Sequence, residues 1–157
     1  MQPGDWPAVQ TIYAQGIATR NATFETNLPE WEAWDRAHLA APRLVARLDG
    51  QVVGFVALTP ISARKVYAGV ADLSIYIAES GRGQGIGKRL LLAMIDESEK
   101  AGIWTIQTSI FPENVASITL HQSCGFRVVG QREKIAQLEG IWRDTVLLER
   151  RVQNSSG

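Results

Sequence analysis

The segment Arg82-Gly83-Gln84-Gly85-Ile86-Gly87 constrains this chain more than any other. It stands between an apolar run at 71–78 and a long amphipathic stretch at 88–100. Three glycines at alternate positions, behind an arginine, predict the turn from a strand into a helix. Such a turn leaves backbone N–H groups without carbonyl partners, and the helix start adds partial positive charge. Glycine lets a ligand approach the backbone closely, so the segment reads as a phosphate cradle. A purely structural glycine turn is the alternative.

Spacing narrows the ligand. A dinucleotide fingerprint, Gly-x-Gly-x-x-Gly, fails in both registers: from Gly81 its last position falls on Ile86, from Gly83 on Lys88. A P-loop fits at Gly87-Lys88, but Arg82 stands at its first glycine and Arg89 at its hydroxyl. Arg/Gln-x-x-Gly-x-Gly/Ala does fit, on Arg82, Gly85 and Gly87. This resembles the pyrophosphate-binding motif of the GNAT superfamily of N-acetyltransferases, which hold acetyl-coenzyme A.

Along the chain, Asp5 and Pro7 open a helix to about Ile17. Residues 21–27 form a polar loop carrying Phe24. Residues 29–41 read as a second helix, with Trp31, Trp34 and Leu39 on its apolar side. Strands at 44–48 and 52–58 flank the tight turn Asp49-Gly50. A loop covers 59–69, a strand 70–78, and a helix 88–101 that ends at Gly102. A β-branched strand follows at 103–110, a short helix at 114–123, and strands at 126–130 and 141–148. The order predicts an α/β (α+β) fold: a mixed, largely antiparallel twisted sheet with helices on both faces. GNAT proteins usually begin with a strand. Here the chain starts almost at the first helix, so that strand is expected to be missing or short.

At 157 residues the chain suits one domain, 1–152, with a polar tail at 153–157. Lys+Arg and Asp+Glu are both 16, which gives no electrostatic case for nucleic acid. No apolar run approaches the roughly 20 residues of a membrane span. The start has no charged-then-apolar leader, and the lone Cys124 cannot form an internal disulfide. A cytoplasmic protein is the expectation. Cys124 reads as a small buried apolar residue.

A second block strengthens the family resemblance: Asn114-Val115-Ala116-Ser117, then Leu120-His121 and Cys124-Gly125-Phe126. It is similar to the GNAT segment that lines the pantetheine and thiol end of coenzyme A, which implies Asn114 and Ser117 as cofactor contacts. Many members have a tyrosine at His121 that protonates the leaving thiolate. His121 is thus either that acid or a structural helix histidine. Residues 21–26, 64–67, 71–77 and 140–144 together resemble the phosphinothricin and methionine sulfoximine acetyltransferases, over nearly the whole chain. In that branch a glutamate at the position of Asp72 is the proposed general base, which Asp72 matches with a carboxylate one methylene shorter, and the position of Arg64 clamps the acidic end of the substrate. The position of Tyr67 reaches in from a dimer partner, and that of Phe24 walls the pocket. A homodimer with shared sites is implied.

The chemistry is consistent with these positions. The substrate ammonium must lose a proton before it attacks a thioester, and at pH 7 a carboxylate can take it. Strand alternation puts Asp72, Ser74 and Tyr76 on one face, opposite Leu73, Ile75 and Ile77. The resemblance adds pantetheine along Ile75, Tyr76 and Ile77 like an extra strand, with an amide of Tyr76 or Ile77 at the thioester oxygen. Pyrophosphate would lie on Gly83, Gln84, Gly85, Ile86, Gly87 and Lys88, with Arg82 adding charge. Asp72 could instead pair with Arg64, and Arg64 could be an ordinary solvated loop charge. Trp142 is a candidate border of the pocket. No metal is expected: His38 and His121 stand alone. The expected activity is acetyl transfer from acetyl-CoA to the α-amine of a small glutamate-like amino acid. Another small amine, a protein N-terminus, or a non-catalytic acyl-CoA sensor are the alternatives.

Overall fold

A computed structural model describes residues 1–153. Of the expected tail, 154–157 lie outside the described residues. Ten elements follow in order: α1 (Trp6–Ala18), α2 (Trp31–Ala37), β1 (Leu44–Leu48), β2 (Gln51–Pro60), β3 (Val70–Ile77), α3 (Ile86–Lys100), β4 (Thr105–Ile110), α4 (Val115–Ser123), β5 (Arg127–Leu138) and β6 (Ile141–Arg151). The strands form one sheet in the order β1-β2-β3-β4-β6-β5. Every pairing is antiparallel except β3 with β4.

β2 explains the layering. Its residues 53–58 are all buried, a continuous run that marks a strand covered on both faces. Val53, Phe55 and Ala57 turn to α1 and α2, where Val9, Ile12 and Trp34 meet them. Val56 and Leu58 turn the other way, to Leu90, Leu91, Met94 and Ile95 of α3. Leu91 and Met94 are fully buried; truncating either to alanine should cost about 2–5 kcal/mol through lost burial and the cavity left behind.

Among the described residues no strand precedes α1. The Met1 ammonium donates to the Arg43 carbonyl (3.0 Å) at the foot of the edge strand β1. The Asp49-Gly50 turn has positive φ at both residues (51° and 78°), the hairpin geometry that matches strand twist. α2 is shorter than the expected 29–41. At His38 the backbone turns extended (φ −110°, ψ 150°), and Leu39 N–H pairs with Leu58 O instead of continuing the helix. α3 starts two residues earlier than read. The largest correction is β5, expected to end at 130 but continuing to Leu138. Its charged run hid a bulge: Lys134 has φ 47°, and Asp144 accepts from its N–H (2.8 Å) and from Gln131 Nε2 (3.1 Å).

Candidate active site

The site is built where two strands part. β3 and β4 pair only at Val70–Thr105, Ala71–Ile106 and Asp72–Gln107, yet both continue. Beyond Asp72, β3 keeps β2 on one side and, among the described residues, pairs with no strand on the other. Thr108 Oγ1 donates to the Leu73 carbonyl (3.1 Å) at the fork. That bond fixes which edge Leu73 addresses. Peptide groups alternate between edges along a strand, so those of Ile75 and Ile77 also face the gap.

Asp72 stands at the fork on the face of α1 and α2. Gln107 Nε2 donates to its Oδ2 (3.3 Å). Burial pushes the Asp72 carboxyl above its ordinary value; the Gln107 bond and the Arg132 charge oppose that in part. The described structure therefore pairs Asp72 with Gln107 rather than Arg64. Ser74 and Tyr76 share its face. Tyr76 is packed between Phe55 (5.3 Å) and Tyr13 (5.1 Å), and burial raises its phenol pKa far above the usual range.

A cavity of about 230 Å³ opens at the fork, lined by Asp72, Ser74, Tyr76, Phe24, Ser117 and His121 among others. His121 is 1 % exposed. Its Nδ1 lies 2.7 Å from the Ser117 carbonyl, which only accepts, so Nδ1 carries the proton. Nε2 is then a bare acceptor, buried, with no partner among the described residues. Burial also holds the His121 pKa below its ordinary value. Nε2 is thus a hydrogen-bond acceptor on a weakened base, and the donor role first expected of the ring would require protonating it against that burial.

A larger cavity, about 540 Å³, continues from the fork to the glycine turn. It is lined by Ile75, Tyr76, Ile77, Arg82, Gly83, Gly85, Ile86, Gly87, Asn114 and Ser117, with Gly16 of α1 and Thr19 just after that helix. Gly83 (φ 77°) and Gly85 (φ 74°) are left-handed, and a Cβ on either would meet open space rather than protein. Gly85 caps α3, whose first N–H groups have no helical carbonyl ahead of them. Arg82, Lys88 and Arg89 are exposed around this helix start, and none is in an ion pair among the described residues. Free amides, unpaired cations and a deep channel suit a pyrophosphate with a long thioester arm. Gln84 lies outside the channel lining and donates to the Ser80 carbonyl (3.1 Å). Asn114 accepts from Ser117 N–H (3.3 Å) and so caps α4. Among the described residues no group of three or more His, Cys, Asp or Glu could hold a metal ion, and no helix is long and apolar enough to cross a membrane.

Phe24 packs edge-on against Phe111 (4.9 Å). Arg64 and Tyr67 sit elsewhere: both are exposed, with the guanidinium 5.6 Å above the tyrosine ring, and neither lines a described cavity. Trp142 is likewise exposed (54 %). Two residues escaped the sequence reading. Gly16 sits where a Cβ would come within 2.7 Å of Tyr76, and its one signal was a glycine inside a helix. Arg132, exposed and outside every ion pair described, acts on Asp72 from the part of β5 that read as a loop.

A strand pair splayed beside a helix-start phosphate cradle, with a desolvated carboxylate at the fork, defines a coenzyme A-dependent acyl transferase. The chain belongs to the family described as Acetyltransferase (GNAT) family, which it matches over residues 8–126. It is an acetyl-CoA-dependent N-acetyltransferase. A phosphinothricin N-acetyltransferase of Alcaligenes faecalis is 36% identical over 154 residues, covering 93% of this chain and 77% of that protein. An L-methionine sulfoximine/L-methionine sulfone acetyltransferase of Pseudomonas aeruginosa is 29% identical, covering 92% and 88%. The solved structure of a putative acetyltransferase from Salmonella typhimurium with acetyl-CoA superposes with a TM-score of 0.91 at 25% identity, covering 100% of this chain and 94% of that one.

Proposed function

We propose that the protein acetylates the α-amine of a small glutamate-like amino acid: phosphinothricin, methionine sulfoximine or sulfone, or a close relative. The observation that carries this is Asp72, a desolvated carboxylate at the fork between the acceptor side and the cofactor channel. The names of the two relatives supply the substrate class.

In this reading Asp72 takes the proton from the substrate ammonium, directly or through one water. A raised carboxyl pKa makes it a stronger base than a free aspartate. The freed amine attacks the acetyl carbon. Peptide N–H groups facing the gap from Ile75 and Ile77 receive the charge that develops on the carbonyl oxygen. The C–S bond breaks, the nitrogen that now carries the acetyl group gives up its second proton, and the leaving thiolate takes that proton up. His121 Nε2 offers a hydrogen-bond acceptor at the fork; to relay that proton the ring would have to be charged against its burial. Ser74 and Phe24 shape the acceptor side. Acetyl-CoA supplies the activated acetyl group; Arg82, Gly83, Gly85, Ile86, Gly87 and Lys88 hold its pyrophosphate, with Gln84 buttressing the turn.

Arg64 clamps the acidic end of the substrate, bidentately, and Tyr67 acts across a homodimer. Their exposure in the single chain and the exposed Val66 beside them support a partner surface there. The buried free thiol of Cys124 agrees with a cytoplasmic protein. A thiol-release assay with acetyl-CoA tests the proposal, using phosphinothricin, methionine sulfoximine, methionine sulfone, neutral amines and a peptide N-terminus. Turnover confined to the neutral amines or the peptide would overturn it.

A further inference from the structure

Arg143 of β6 makes more contacts than its place near the tip of a hairpin requires. Its Nη1 donates to the Arg20 carbonyl (2.9 Å). Its Nη2 donates to Asn21 Oδ1 (3.1 Å) and Glu113 Oε2 (3.2 Å). The guanidinium lies 4.0 Å from the centre of the Phe111 ring, which meets Phe24 edge-on. The side chain is only 16% exposed. Two walls of the site therefore converge on it. One is the segment 21–24, which follows α1 and carries Phe24. The other is 111–114, which joins β4 to α4. Asn114 Nδ2 adds a direct bond to the Asn21 carbonyl (3.2 Å).

The segment 21–24 has no helix or strand of its own. It leaves α1 through Arg20, which sits at φ 56°. Asn21 and Ala22 line both the acceptor cavity and the cofactor channel. We propose that Arg143 is a positioning residue: its planar fork locks 21–24 onto 111–114, so that filling the cofactor channel sets the wall of the acceptor pocket. Two parallel donors and a face stacked on Phe111 need a guanidinium; an ammonium would keep the charge and lose the fork.

The proposal rests on the acetyltransferase reading, but its first test does not need an amine. Hydrogen exchange of 19–27 should be slow in the wild type and slower still with acetyl-CoA. In Arg143→Ala that segment should exchange faster, trypsin should cut after Arg20, and acetyl-CoA should bind yet fail to protect it. In the kinetic arm, the amine KM should rise about tenfold or more, the cost of losing charged hydrogen bonds, with kcat changed less. Arg143→Lys should behave like the alanine variant. Unchanged exchange at 19–27, wild-type kinetics in Arg143→Lys, or a lower Tm with equal loosening across the whole sheet would each overturn the positioning role. If no amine on the panel is acetylated, the exchange result still decides it.

Discussion

In the proposed reaction Asp72 concentrates the chemistry in one carboxylate. The fold holds it in a poor place for a charge, and its pKa rises because of burial. A folded-state value above the unfolded one means that ionisation weakens the fold. Stability is lost as pH rises from the unfolded value through the folded one, and that cost stands in full above the folded value. Asp72→Asn removes the charge and keeps the shape and the Gln107 contact. Its Tm at pH 7 should match or exceed the wild type. Its kcat/KM should fall on the order of 10²-fold near pH 7. That deficit should shrink as pH rises, since the substrate then arrives already deprotonated. Acetyl-CoA affinity should hold, because the channel is built elsewhere. A pH–rate profile with melting curves checks this. A lower Tm with a pH-independent deficit would make Asp72 structural and pass the base role to Glu25 or His121.

The glycine turn and the splayed strand are properties of elements. Gly85→Glu tests the turn: the left-handed φ costs the fold on the order of 1 kcal/mol, while the carboxylate enters the cradle among the free amides. Calorimetry should show acetyl-CoA binding abolished with the fold retained; unchanged affinity would remove the pyrophosphate from this turn. The same elements show what a sequence can reveal. The turn was legible because its chemistry is local: spacing, glycine and a following amphipathic helix. The common face of Asp72, Ser74 and Tyr76 was legible from strand alternation alone. The fork was not, since where β3 and β4 stop pairing depends on Thr108 and Gln107, partners 35 residues away. The second half of β5 was hidden because its bulge and charges mimic a loop, and Arg132 was hidden with it. The tautomer of His121 was beyond reach for a similar reason: it is fixed by a backbone carbonyl one helical turn away.

At the scale of the whole molecule, one chain leaves its proposed substrate clamp outside the cavities. Arg64 and Tyr67 stand on the exposed loop between β2 and β3. The far strands are unusually apolar on the outside: Val128, Val129, Ile135, Ile141 and Trp142 are each 43–66% exposed. Exposed apolar side chains are where a second copy would dock in the proposed dimer. In a two-fold dimer each contact is made twice, so a residue lent to one site is matched by one borrowed. If Arg64 serves the acidic end of the substrate, Arg64→Ala should raise KM steeply for acidic substrates, on the order of 2–5 kcal/mol for a desolvated pair, and little for neutral amines. Equal losses for both would end the clamp assignment. Tyr67 gives the stronger test of sharing. Asp72→Asn and Tyr67→Phe should each be impaired alone. Unfolded together and refolded at equal amounts, half of the dimers should be mixed, each with one site that has both Asp72 and a partner's Tyr67. The mixture should then recover about a quarter of wild-type activity. Activity no greater than the average of the two variants, or full activity in a monomer by light scattering, would place each site within a single chain.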